Sequence, residues 1–135
     1  MKWYLKVLKD FRNFSGRARR SEYWFFVLFN LIFALVAMAI DNLLGTTFKI
    51  DGIPAPYGIV YLLYALFILI PGLAVAVRRL HDVGKSGWFL LISLIPLIGS
   101  IWLLILFFTD SQPGENKWGP NPKSIPLVEG DKLAI

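Results

Sequence analysis

Residues 57–77 read YGIVYLLYALFILIPGLAVAV, a run without one charged side chain. Crossing a bilayer takes about 20 mostly apolar residues, because a ~30 Å hydrocarbon core is traversed at ~1.5 Å per helical residue. This run is long and dry enough. So are Tyr23–Leu44, whose one strongly polar interior side chain is Asn30 until Asp41 and Asn42 close it, and the uncharged Trp88–Phe108. Helices of a soluble bundle show a polar face at period 3.6, and these runs do not. Composition agrees: 56% of the 135 residues are hydrophobic and 17% charged, with a mean hydropathy of +0.60. Soluble domains carry about 25% charged residues. The same figures exclude disorder, and the absence of cysteine excludes a disulfide scaffold. The predicted fold class is an all-α membrane protein: one domain over 1–135 with three transmembrane helices (23–44, 57–77, 88–108).

Ala37-Met38-Ala39 has the small-x-small form of a signal-peptide cleavage site. However, the charged leader exceeds 20 residues and the apolar run outlasts an ordinary h-region, so the first run reads as a retained anchor. Basic residues set the orientation. Lys2, Lys6, Lys9, Arg12, Arg17, Arg19 and Arg20 precede the first run, and Arg78, Arg79 and Lys85 separate the second from the third. The loop between the first two runs holds only Lys49. The positive-inside rule puts the N-terminus and the Arg78–Gly87 loop in the cytoplasm. Three spans then leave the tail outside. Pro96 and Gly99 interrupt the third run, and the simpler expectation is a kinked full span, since each half, at ~15 Å, is too short to cross alone. A re-entrant hairpin is the alternative. Aromatics at the run ends (Tyr23, Trp24, Tyr57, Tyr61, Trp88) fit interfacial belts.

Outside the runs, Trp3, Tyr4, Val7, Leu8, Phe11 and Phe14 recur at helical spacing opposite a lysine-rich face. This predicts an amphipathic helix over 1–14 lying in the headgroup region. The loop 42–56 is turn-rich, and the tail 109–135, with Pro113-Gly114, Gly119-Pro120 and Asn121-Pro122, is expected to be irregular.

Arg17, Arg19, Arg20, Glu22, Arg78, Arg79, His81, Asp82 and Lys85 form the densest polar constellation, predicted on one membrane face. Gly84-Lys85-Ser86 echoes the end of a P-loop, but Arg79 occupies the required first glycine and a membrane helix stands where a strand belongs. One histidine and no cysteine cannot build a usual zinc site, and no carboxylates converge for magnesium. Adjacent His81 and Asp82 make a poor acid–base pair without a nucleophile. No catalytic residue, cofactor or metal is therefore expected. Arginine clusters do attract acidic headgroups, at about 1 kcal/mol per basic residue, and grip phosphate bidentately. The net charge of +5 sits beside the membrane, which argues against nucleic acid.

Three segments carry a family resemblance. Phe14-Ser15-Gly16-Arg17-Ala18-Arg19-Arg20-Ser21-Glu22-Tyr23-Trp24, Arg78-Arg79-Leu80-His81-Asp82-Val83-Gly84-Lys85-Ser86-Gly87-Trp88 and Pro113-Gly114-Glu115-Asn116-Lys117-Trp118-Gly119-Pro120-Asn121-Pro122 resemble, in order, the opening, central and closing signatures of a bacterial inner-membrane family. That family is domain of unknown function 805, of the YhaH/YhaI type. Trp118 stands where tyrosine is the commoner residue. The resemblance implies a small multi-pass plasma-membrane protein and supplies no activity. If its three signatures form one site, the tail shares the arginines' side, which favours the re-entrant hairpin.

The expected function is non-enzymatic, an arginine-rich cytoplasmic face engaging anionic lipid or a partner protein, with a homo-oligomer as one form of partner. A transport or channel component acting as an oligomer ranks second, with Asn30, Ser93 and Ser100 as pore-lining groups. A lipid-modifying enzyme built on His81 and Asp82 ranks third.

Overall fold

A computed structural model describes residues 1–124. The last eleven positions of the expected tail lie outside the described residues. Two long helices dominate: α2 (Arg20–Leu44) and α3 (Ile59–Asp82) pack side by side, joined by a β-hairpin of β1 (Thr47–Ile50) and β2 (Ile53–Gly58). The hairpin is a small addition to the all-α expectation. Its turn is Asp51-Gly52, both at positive φ (52° and 81°), the geometry of a two-residue turn that matches strand twist. Asp41 anchors it. Its buried carboxylate accepts from Thr46 Oγ1 (2.6 Å) and from the backbone N–H groups of Gly58, Val60 and Tyr61 (2.9 Å each). One side chain of α2 thus satisfies the N-terminal donors of α3, which the helix itself cannot pair.

α1 is shorter than the predicted amphipathic segment and covers Lys2–Lys9. Beyond it, the Asn13 side chain accepts from the N–H groups of Ser15 and Gly16, a local turn that competes with helix. Trp3, Tyr4 and Val7 are buried against α2 and α3. The Tyr4 ring lies 5.6 Å from Phe26 and 5.1 Å from Phe33, and its hydroxyl is 3.1 Å from that of Tyr64, which donates to Asn30 Oδ1 (2.6 Å). Asn30 is thereby paired inside the fold.

The third apolar run departs from the kinked-span expectation. It is not one helix. A 3-10 segment (Gly87–Leu94) is followed by a sharp turn and by α4 (Ile98–Phe108). The turn centres on Leu97 (φ 66°, ψ −59°), with the Ile98 N–H donating to the Pro96 carbonyl at 2.7 Å. That is a γ-turn of the rarer, strained hand. The two arms then run back against each other. A Cβ on Gly99 would overlap the carbonyl oxygen of Ile92, so only glycine permits this approach. Phe89, Leu90 and Ile92 of one arm pack with Leu103, Leu106 and Phe107 of the other around Leu80 of α3. The physical reason is Pro96, which removes a helix donor and prevents one rod from forming. Among the described residues, two helices remain long and apolar enough to cross a membrane, α2 and α3.

Candidate functional site

The C-terminal end of α3 delivers Arg78, Arg79, His81 and Asp82 to the start of α2, where the link from α1 brings Arg17 and Ala18. The Ala18 N–H donates to the Arg78 carbonyl (3.0 Å), fixing this crossing. Because the hairpin doubles back, the residues after α4 return to the same place, and the Gln112 N–H donates to the Asp82 carbonyl at 2.7 Å.

Asp82 is the hub and is fully buried. Its Oδ1 accepts from Arg17 Nε (3.0 Å), and its Oδ2 from Arg79 Nη1 (2.5 Å) and Ser111 Oγ (2.6 Å). Two arginines on one carboxylate leave a net positive charge. It is dispersed over carbonyl oxygens. Arg17 donates to Gly114 (2.8 Å), Gly119 (3.2 Å), Gln112 (2.6 Å) and Asp82 (3.3 Å). Arg79 donates to Phe107 (3.2 Å), Ala18 (3.3 Å) and Thr109. Phe107 also accepts from Trp24 Nε1 (3.1 Å), and Phe108 from Arg20 (3.3 Å). The last carbonyls of α4, left without intrahelical partners and at the negative end of the helix dipole, are thus met by cationic or indole donors.

Arg78 lies in a second, separate cluster. It donates from Nη1 to Glu22 Oε1 (2.6 Å) and stands 3.6 Å from Asp10; Lys6 bridges Asp10 (2.8 Å) and Glu22 (3.3 Å). Arg78 and Glu22 are buried while Lys6 is half exposed. His81 belongs to a third arrangement. Its Nδ1 lies 3.0 Å from the Gly16 carbonyl oxygen, its ring stacks on Trp118 (centroids 4.5 Å apart, planes at 7°), and its carbonyl accepts from Asn116 Nδ2 (2.9 Å). Asp82 is directed away from it, into the arginine pair. Arg19 lies over the Trp3 ring at 5.5 Å, and Lys85 over Phe89 at 5.5 Å. Arg20 is exposed, 3.6 Å from Asp110. Hydrogen bonds from Lys123 and the Ser111 N–H, with the positive charge of Arg20 nearby, hold the Asp110 carboxyl below its usual range. The nine residues singled out in the sequence therefore share one end of the α2–α3 pair but divide into distinct clusters.

Sequence reading missed Asp10, Ser111, Gln112 and the tail carbonyls that complete these clusters. Only the closing signature pointed to the tail, by resemblance. Among the described residues, no group of three His, Cys, Asp or Glu side chains is arranged to hold a metal ion.

The clusters join the three signature segments, and a family model described as a protein of unknown function, DUF805, matches residues 11–120. The chain belongs to the DUF805 family. It is 46% identical over 128 residues to the inner membrane protein YhaH of Escherichia coli (strain K12), covering 93% of this chain and all of that protein. It is 43% identical over 123 residues to the inner membrane protein YhaI of the same strain, covering 91% and 97%. No solved structure matches. These DUF805 relatives carry inner-membrane names and no enzymatic ones, and the helices α2 and α3 give this member the apolar length such a location requires.

Proposed function

We propose that this DUF805 protein is a non-enzymatic, multi-pass inner-membrane protein whose basic cytoplasmic face engages anionic phospholipid. In this reading α2 and α3 span the bilayer, the hairpin Gly87–Phe108 enters and leaves from the cytoplasmic side, and α1 lies along that interface. The hairpin arms measure roughly 16 Å each at ~2.0 and ~1.5 Å per residue, half of a ~30 Å core. One observation carries the reading. Every lysine and arginine among the described residues except Lys49 belongs to a segment meeting the Arg20–Asp82 end of the helix pair. A two-span topology with the tail inside therefore fits the positive-inside rule better than three spans.

In this reading Arg20 and Lys85 are the residues that reach lipid. Arg17 and Arg79 have their donors committed within the chain, whereas Arg20 is exposed and Lys85 partly so. A fluorescent-protein fusion at the C-terminus is expected to fluoresce and an alkaline-phosphatase fusion to be inactive; the reverse overturns the topology. The double variant Arg20→Gln/Lys85→Gln is expected to lower copurified acidic lipid with helix content unchanged, and an unchanged lipid fraction overturns the lipid reading.

A further inference from the structure

Arg78 differs from the other buried arginines. Arg17 and Arg79 each donate from all three guanidinium nitrogens, but Arg78 donates only from Nη1, to Glu22. Its Nε and Nη2, sealed from solvent, have no hydrogen-bond partner among the described residues. These two atoms form one edge of the guanidinium plane, the fork that matches carboxylate or phosphate oxygens bidentately. The other buried side-chain polar atoms without a partner among the described residues are Trp3 Nε1 and Arg19 Nε. All four are donors, and none is an acceptor. They belong to residues where α1 meets the start of α2 and the end of α3. The formal charges there, Lys2, Lys6, Arg19 and Arg78 against Asp10 and Glu22, leave a net positive charge.

A groove of about 330 Å³ lies between α1 and α3, lined by Leu8, Phe11, Phe67, Ile70 and Pro71. Phe67, Pro71 and Arg78 stand at i, i+4 and i+11 on α3, so the groove and Arg78 share one helix face. At the C-terminal end of α1 and just beyond it, groove residues Leu8 and Phe11 flank Asp10, the residue that reaches Arg78.

We propose that Arg78 and this groove together bind one anionic glycerophospholipid, its phosphodiester on the Nε/Nη2 edge and an acyl chain between α1 and α3. This rests on the anionic-lipid reading above and narrows it from a surface to one site. A phosphodiester supplies two oxygens at the spacing of the fork and a negative charge for a cluster that is net positive. The apolar groove selects an anion that carries a tail. In this structure Arg78 is buried and Gly16 of the link from α1 packs near its side chain (a Cβ there would lie 3.9 Å from Cδ). Binding therefore displaces the Asn13–Gly16 turn. Two buried donors left unpaired weaken the closed state, and the lipid relieves that cost.

The test is native mass spectrometry of the full chain in detergent, delipidated and then titrated with dioleoyl phosphatidylglycerol or with inorganic phosphate. Wild-type protein should bind one phosphatidylglycerol. Arg78→Lys keeps the charge beside Glu22 but loses the fork, and should weaken that binding at least tenfold. Ile70→Trp, on a partly lipid-exposed face remote from the buried ion pairs, should do the same by filling the groove, and it serves if Arg78→Lys does not fold. Lys49→Gln, on the β-hairpin away from this site, should retain the one-to-one complex. Undiminished binding by Arg78→Lys or by Ile70→Trp overturns the proposal, as does inorganic phosphate binding as tightly as the lipid. If wild-type protein forms no one-to-one complex while its acidic-lipid content still falls in Arg20→Gln/Lys85→Gln, this site fails alone; if neither effect is seen, the broader reading fails with it.

Discussion

Asp82→Asn is the sharpest perturbation of the arginine core. The carboxylate is fully buried and receives three donors, from Arg17, Arg79 and Ser111. The amide that replaces it keeps the shape, loses the charge and points an N–H₂ group at one of those donors. Hydrogen bonds to a charged group are worth about 1.5–3 kcal/mol each, but three in one network do not add. Removing one partner of a buried ion pair costs about 3–5 kcal/mol, chiefly because an uncompensated charge stays behind. Here two arginines stay behind, so the expected loss is about 3–5 kcal/mol, a large share of the ~5–15 kcal/mol that holds a typical domain. The assay is denaturant unfolding in detergent, followed by Trp fluorescence, alongside limited proteolysis. Because Asp82, Arg17 and Ser111 tie the tail to α3, cleavage between Gln112 and Lys123 should appear before global unfolding. The control is Asp51→Asn in the exposed hairpin turn, expected to shift stability by less than about 0.5 kcal/mol. If Asp82→Asn matches that control and the tail stays protected, the hub assignment is wrong.

Three further outcomes follow from the same geometry. Asp41→Ala leaves the N–H groups of Gly58, Val60 and Tyr61 without their acceptor and should cost about 1–3 kcal/mol, read as protease sensitivity at the Asp51-Gly52 turn before the arginine core loosens. Leu97→Gly removes the penalty of a positive φ at the hairpin tip and should be neutral or stabilising by up to about 1 kcal/mol in the same unfolding assay, whereas Gly99→Ala should destabilise by forcing the arms apart. The contacts of Asp110 with Lys123 and Arg20 depress its carboxyl, so their contribution is present above the unfolded carboxylate value of ~4 and is lost as pH falls through the lower folded value. Proteolysis of the segment up to Lys123 should accordingly not respond to Asp110 titration between pH 6 and 8 (chosen assay conditions) and should rise only in acid; a change with a midpoint near neutrality would refute it.

Much of the fold was legible in the chain because bilayer crossing is decided by local chemistry. Length and dryness pick out α2 and α3, together with the third run that does not form one helix, and basic residues beside them mark the end where the polar clusters form. The β-hairpin had a readable signal too, in Asp51-Gly52 between Thr47–Ile50 and Ile53–Gly58, but the prolines at 54 and 56 masked it as mere turn. The third run was harder. Pro96 and Gly99 announce an interruption, yet a kink and a reversal begin with the same residues. What separates them is where the chain goes next, and that depends on Gly99, whose missing side chain leaves room for the Ile92 carbonyl, and on Arg79 meeting the end of α4.

Residue chemistry read along the chain establishes a membrane protein whose positive charge gathers beside its dry runs, because hydropathy and charge belong to residues wherever they lie. Which arginines are committed, and which edge is left open, follows from packing alone. Arg78 and Arg79 are neighbours in the chain and identical in chemistry. On a helix, however, adjacent side chains point about 100° apart, so Arg79 enters the Asp82 core and Arg78 turns toward Glu22 with its fork unpaired.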